Sequence, residues 1–177
     1  MFTVEIWVGR SLVRHHVFFA IELATRRVEI LGTVPEPSGT WMEQVARNAT
    51  DGFSGFLSGK RYLVTDRDSR FTKEFRFILK AAGTEAVRTP PRSPNLNAYA
   101  ERFVRSIKEE CLGKMIFFSE GQLRRAAGHY VEHYHVERNH QGIENRLIEP
   151  RAEANREGKI VRDSRLGGLL NHYRSAA

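Results

Sequence analysis

Apolar and polar residues alternate with period two over much of the first third of the chain. Thr3 to Val8, Val13 to Ala24 and Arg27 to Val34 follow this rhythm, which predicts three strands. The turns between them are short, so the three form an antiparallel meander. Pro35-Glu36-Pro37-Ser38-Gly39 breaks the pattern, and Thr40 is placed to cap a helix running through Trp41 and Val45 towards Ala49. The run Arg61–Thr65 predicts a short buried strand. An amphipathic helix follows over Lys73–Ala82, with Phe75, Ile78 and Leu79 on one face and Gly83 ending it. Ala86–Thr89 reads as a fifth strand, stopped by Pro90-Pro91. Further helices are expected beyond Ser93-Pro94-Asn95-Leu96-Asn97 and over Gln122–Glu137. A meander followed by strands alternating with helices predicts an α/β fold, a five-stranded mixed sheet flanked by helices. Residues 1–150 form one domain on this reading. Residues 151–177, polar from Arg151 to Lys159, form a loosely attached tail.

Two carboxylates stand out against this frame. Asp66 ends the Arg61–Thr65 strand, and Glu101 lies in the first turns of the next long helix, with 34 residues between them. A strand end and a neighbouring helix can together present hard oxygen ligands to Mg²⁺, which takes a few carboxylates and completes its shell with waters and substrate phosphates. With Glu101 at zero on a helical wheel, Asn97 falls at about −40°, Arg105 at about +40° and Lys108 at about −20°. One stripe therefore carries a carboxylate, an amide and two cations. Tyr99, Phe103 and Ile107 fall on the opposite side and are expected to pack inward. A solvated face with an ordinary Glu-Arg pair is the plainer account of the same stripe.

Lys and Arg number 28 against 21 Asp and Glu, a net charge of +7. Such a balance favours phosphate-rich partners and fits a nucleic-acid-binding surface. A single cysteine, Cys111, excludes an internal disulfide and cysteine-rich zinc modules, and is best read as a small packing residue. No segment approaches the length and apolarity of a membrane span, and the first residues lack a leader's layout, so a cytoplasmic protein is expected. Trp41 and Trp7 are expected to anchor the core. Arg124 and Arg125 either contact DNA or face solvent.

Three stretches together resemble the catalytic core of bacterial insertion-sequence transposases related to retroviral integrases. They are Thr65-Asp66-Arg67-Asp68-Ser69-Arg70-Phe71-Thr72, Ser93-Pro94-Asn95-Leu96-Asn97-Ala98-Tyr99-Ala100-Glu101 and Tyr134-His135-Val136-Glu137-Arg138-Asn139-His140-Gln141-Gly142. The resemblance implies a ribonuclease H-like fold, an Asp-Asp-Glu catalytic triad and a Mg²⁺ or Mn²⁺ cofactor. On it, Asp66 is the second acid and Glu101 the third, each a catalytic metal ligand. Asn97, Arg105, Lys108 and Arg67 are the candidate DNA-binding residues. Lys108 matches a basic position that family members use to hold DNA, while Asp68 stands where they usually have Gly. DNA and further copies of the chain are the implied partners, with association to the nucleoid when DNA is bound.

The same resemblance places the first acid one residue before Met1, so a chain truncated at that end is expected to bind DNA but transfer strands poorly. Glu5 is no substitute. It lies about 16 Å along the strand and, by its odd offset, points to the other face. Glu22 lies on the next strand with no assignable place. A catalytically dead DNA-binding or regulatory remnant is therefore the alternative. A further alternative is a zinc peptidase built on His129-Tyr130-Val131-Glu132-His133.

Overall fold

A computed structural model of the protein describes residues 1–90, 97–150 and 158–175. Strands β1 (Phe2–Val8), β2 (Ser11–Ile21) and β3 (Val28–Val34) form the expected antiparallel meander, in the order β1-β2-β3. Helix α1 (Gly39–Ala49), strand β4 (Tyr62–Thr65), helix α2 (Lys73–Ala81), strand β5 (Glu85–Arg88) and helices α3 (Ala98–Glu110) and α4 (Glu120–Val136) follow. Strands β6 (Ile160–Arg165) and β7 (Leu170–Ser175) close the chain as an antiparallel hairpin. The approach to α3, Ser93 to Leu96, lies outside the described residues, as do 151–157 of the expected tail.

The cap of α1 is Ser38, not Thr40. Ser38 is extended (φ −77°, ψ 165°) and its Oγ accepts from the Trp41 amide at 3.2 Å. Thr72 caps α2 through Phe75, and Ser119 caps α4 through Gln122. Gly83, at φ +86°, supplies the left-handed residue that lets the chain leave α2.

The five-stranded sheet is not formed by the pairings observed. β4 pairs with β5 in parallel, Tyr62 opposite Glu85 through Thr65 opposite Arg88, with α2 as the crossover. This pair makes a ladder of its own beside the three-stranded one, and the C-terminal hairpin makes a third. The β1–β2 ladder ends at Phe2 opposite Val17, while β2 runs on to Ile21 bonded to β3 alone. Periodicity identifies strands but not their neighbours.

Helices cover both faces of the meander. On one, Phe2, Ile6 and Val17 pack with Phe103 and Ile107 of α3 and with Leu123, Tyr130 and Tyr134 of α4. On the other, Phe18 packs with Met42 and Ala46 of α1 and with Phe75 and Leu79 of α2. A register shift between Phe18 and Phe19 bends β2 against β3. Close by, Gly32 leaves room for Trp41, because a Cβ there would stand 2.7 Å from the indole. Trp41 thus anchors the second core, edge-on to Phe18 at 5.3 Å. Trp7 does not anchor the first. It faces outward opposite Leu12 and is 43% exposed, and its amide donates to the Phe117 carbonyl at 2.7 Å.

Cys111 is buried in the first core, and burial pushes its thiol up to about 11, as suits an unreactive packing residue. The hairpin is tied down in two ways: Leu170 enters the same core, and Arg165 bonds to Glu132 on α4 and to Glu137 at its C-terminal cap.

Candidate functional site

The loop after β4 is held by its own side chains. Asp66 is exposed, and its Oδ1 accepts from the Asp68 amide at 3.1 Å. Asp68 in turn accepts from the Arg70 amide at 2.9 Å. The Arg67 Nε donates to the Thr89 carbonyl at 3.2 Å, which clips this loop to the end of β5. These bonds orient short polar side chains along the loop in the manner of successive Asx turns.

Arg70 connects the loop to the meander. Its guanidinium reaches the Met1 Sδ at 2.9 Å, the His16 Nδ1 at 3.3 Å and the Asp68 carboxylate at 3.4 Å. Burial lowers the pKa of the Met1 α-ammonium, and the charges of Asp66 and Asp68 oppose that shift, so the head of β1 lies within electrostatic reach of both acids. Burial and the neighbouring Arg70 likewise lower the pKa of His16. Neither His16 nor Arg70 stands out in the sequence, although Arg70 falls within the Thr65–Thr72 stretch.

Asp66 and Asn97 line one cavity of about 440 Å³, together with Met1, Thr65, Tyr99 and Ala100. Residues of the β4 end and of the head of α3 are thus both among those that line it. Glu101 is the residue after Ala100. It is exposed at the mouth of the helix and does not line the cavity. Arg105 and Lys108 are exposed further along α3, and the Lys108 Nζ lies 5.7 Å from the Phe2 ring centroid, over the start of β1. Asn97 takes the N-cap position of α3 without a side-chain capping bond.

Tyr99 does not pack inward as the helical wheel predicts. It is 45% exposed, with the Arg26 guanidinium 3.6 Å from its ring centroid. Arg26, at φ +67°, lies in the β2–β3 turn, and the first turn of α3 extends past the sheet to meet it. Phe103 and Ile107 are fully buried, as predicted.

Glu22 sits at the other end of the cavity, ion-paired with Lys60, whose hydrogen bond lowers its pKa. Glu5 pairs with Arg14 on the exposed part of the meander. Glu5 does not line the cavity. Among the described residues no group of three or more His, Cys, Asp or Glu side chains is arranged to hold a metal ion. Asp66 and Glu101 carry oxygen donors of the type a hard divalent cation prefers.

Two residues of the zinc-peptidase pattern, Glu132 and His133, are engaged elsewhere. Glu132 bonds to Arg165 at 2.7 and 2.8 Å, and the buried His133 shares its Nδ1 with Glu137 at 2.9 Å. They brace α4 against the hairpin. Arg124 forms an exposed pair with Glu120, and Arg125 faces solvent. In the third quoted stretch, Arg138 bonds Glu110 through two nitrogens at 2.7 and 3.0 Å, and the Tyr130 hydroxyl donates to the same carboxylate.

Residues 82–147 match the integrase core domain. The match spans β5, α3 and α4, and it includes Asn97, Glu101, Arg105 and Lys108 but not Asp66 or Arg67. No curated protein matches the chain. Among solved structures, the chain is similar to a chain in the cryo-EM structure of the simian T-cell lymphotropic virus intasome in complex with PP2A regulatory subunit B56 gamma. Identity is 15% and the TM-score 0.54, and the alignment covers 98% of this chain and 64% of that one. The two share a mixed α/β fold, and this chain spans under two thirds of the intasome chain's length. No helix among the described residues is long and apolar enough to cross a membrane.

Proposed function

We propose that the chain is the catalytic core of a transposase or integrase with a ribonuclease H-like fold, which binds DNA and acts on its phosphodiester backbone. The observation that carries this reading is the shared cavity of Asp66 and Asn97. Its lining includes Asp66 after β4 and Asn97 at the head of the α3 segment that matches the integrase core domain. The intasome neighbour supports the same reading at the level of fold.

In this reading Asp66 and Glu101 would hold Mg²⁺ or Mn²⁺, which when bound activates the attacking oxygen and neutralises charge on the phosphate. The chain's own residues do the positioning. Lys108 and Arg105, exposed on one stripe of α3, meet phosphate oxygens, contacts that carry little base information. The Asn97 amide offers a donor and an acceptor at the cavity mouth. Arg67, with one nitrogen on Thr89, presents the rest of its guanidinium beside Asp66. Joining two DNA ends calls for more than one copy of the chain, and residues 1–150 would form the core unit, with 151–177 appended.

A second reading, a DNA-binding or regulatory remnant without transfer activity, is favoured by the lack of a three-carboxylate cluster among the described residues. One experiment separates the two. The purified protein is titrated with duplex DNA across a salt series and then assayed for strand transfer with Mg²⁺ or Mn²⁺. Binding with a steep salt slope and transfer abolished by Asp66→Asn or Glu101→Gln supports the enzyme. Binding without transfer supports the remnant. No salt-dependent binding overturns both.

A further inference from the structure

No described residue of the C-terminal hairpin lines the cavity described above. Its strands pair Ile160 with Ser175, Arg162 with Tyr173 and Ser164 with Asn171, and directly opposed residues share one face of the ribbon. On that face Ile160, Arg162, Ser164, Asn171 and Tyr173 are all exposed. The alternate face carries the mount: Leu170 is buried in the first core, and its partner Arg165 is held by Glu132 and Glu137. A lone two-stranded ribbon is marginally stable, so this mount is what presents the outer face in one orientation.

The outer face has the chemistry of a base-edge reader. It carries a guanidinium, a hydroxyl, an amide and a phenol, and no carboxylate. Arg162 has no ion-pair or hydrogen-bond partner, so its donors are free. The Asn171 Nδ2 donates to the Gly168 carbonyl at 2.7 Å, which fixes the amide and leaves its oxygen free to accept. Residues 158–175 hold four Lys and Arg side chains against one Asp, and Lys159 is exposed where the ribbon starts. Arg pairs with guanine O6 and N7, Asn with adenine N6 and N7, and Ser with either purine or pyrimidine edges. The dimensions agree. Successive residues on one face of a strand are about 6.8 Å apart, or about two base-pair steps, and a major groove about 12 Å wide admits a two-stranded ribbon.

We propose that the outer face of the C-terminal hairpin is a base-reading element, which enters the major groove of double-stranded DNA and sets sequence preference. Arg162 discriminates for guanine, with Ser164 and Asn171 reading the neighbouring steps. The cations of α3, as phosphate contacts, supply affinity without that preference. The inference rests on the DNA-binding reading but on none of the residues assigned to it.

The test selects duplexes from a randomised pool with the full chain, then compares the enriched site with a scrambled duplex at one salt concentration. Arg162→Ala should weaken binding to the enriched site roughly tenfold and to the scrambled duplex little. Two base analogues probe the same contact without altering the protein. Replacing the enriched guanines by 7-deazaguanine, which removes the N7 acceptor from the major groove, should give a similar loss. Replacing them by hypoxanthine, which removes only the minor-groove amino group, should not. Indifference to 7-deazaguanine would overturn the proposal and leave DNA binding standing. So would an equal loss on both duplexes with Arg162→Ala, the absence of any enriched sequence, or preference for a single strand. No salt-dependent DNA binding at all would overturn both.

Discussion

The two faces of the meander are packed to different degrees. Against α3 and α4 the core is closed: Phe103 meets Phe19, Tyr130 and Tyr134 at ring distances of 5.0, 6.2 and 5.2 Å, and its side chain is fully buried. Polar groups at the rim of that face are bonded in sets, Glu110 with Tyr130 and Arg138, and Glu137 with His133 and Arg165. Against β4 and α2 the second face packs Phe18, Met42, Phe75 and Leu79 but leaves a cavity of about 440 Å³ and a buried Thr65 hydroxyl with no hydrogen-bond partner. Of the candidate site residues, Asp66 and Asn97 line this cavity, while Lys108 lies over Phe2 of the first core. Close packing holds the first side in one arrangement, while the cavity leaves room beside the side chains of the second.

The sharpest test of this contrast is a pair of truncations. Phe103→Ala should cost about 4 kcal/mol, because it empties a fully packed position. Phe56→Ala, at a half-buried residue lining the cavity, should cost about 1 kcal/mol, since space already exists beside it. Equal losses in urea unfolding would show that the two faces are packed alike.

Next in size is the bracing of the closed side. Burial raises the pKa of the Glu137 carboxyl, but hydrogen bonds from Arg165 and His133 outweigh it and hold the group at about 2 against an ordinary 4.5. A carboxylate depressed in the folded state stabilises fully above its unfolded pKa and loses that contribution as pH falls through the folded one. Stability should therefore decline between about pH 4.5 and pH 2, by roughly 3 kcal/mol from this group. Arg165→Ala should cost about 3 kcal/mol at neutral pH, since it leaves a buried carboxylate short of its partner. It should also flatten that acid limb. Thermal melts across pH would check both, and an unchanged acid limb would remove Glu137 as its source.

Smaller effects belong to the open side. Thr65→Val, which removes an unbonded hydroxyl, should be neutral or stabilising by up to about 1 kcal/mol. A loss above that would show that the hydroxyl is bonded in solution. Lys108→Ala should leave stability within about 0.5 kcal/mol. If the DNA reading holds, it should lower the salt slope of DNA binding by nearly one unit, uniformly across sequences. A change of sequence preference at constant slope would assign Lys108 to base readout instead.

Much of this molecule is legible residue by residue. Period-two alternation marks β1 to β3, and the 3.6-residue spacing of Phe75 and Leu79 marks α2. Asp66 at a strand end and Glu101 at a helix start are placed by local pattern too. The C-terminal hairpin escapes such a reading, because Ile160–Arg165 alternates only between exposed and half-buried positions, and its turn depends on left-handed Gly167 and Gly168. Trp7 and Tyr99 escape it too: Trp7 faces outward from the meander, and Tyr99 lies under the Arg26 guanidinium instead of in the core.

The sequence by itself determined the local elements, the basic surface and the candidate acids, because each depends on residues near one another in the chain. Only the tertiary structure decided that β4 and β5 form a ladder apart from the meander, that Arg70 ties the acidic loop to Met1 and His16, and that a cleft opens between β2 and β4. Those outcomes depend on which distant backbone edges find partners, and strand alternation is identical whether an edge is paired or left open.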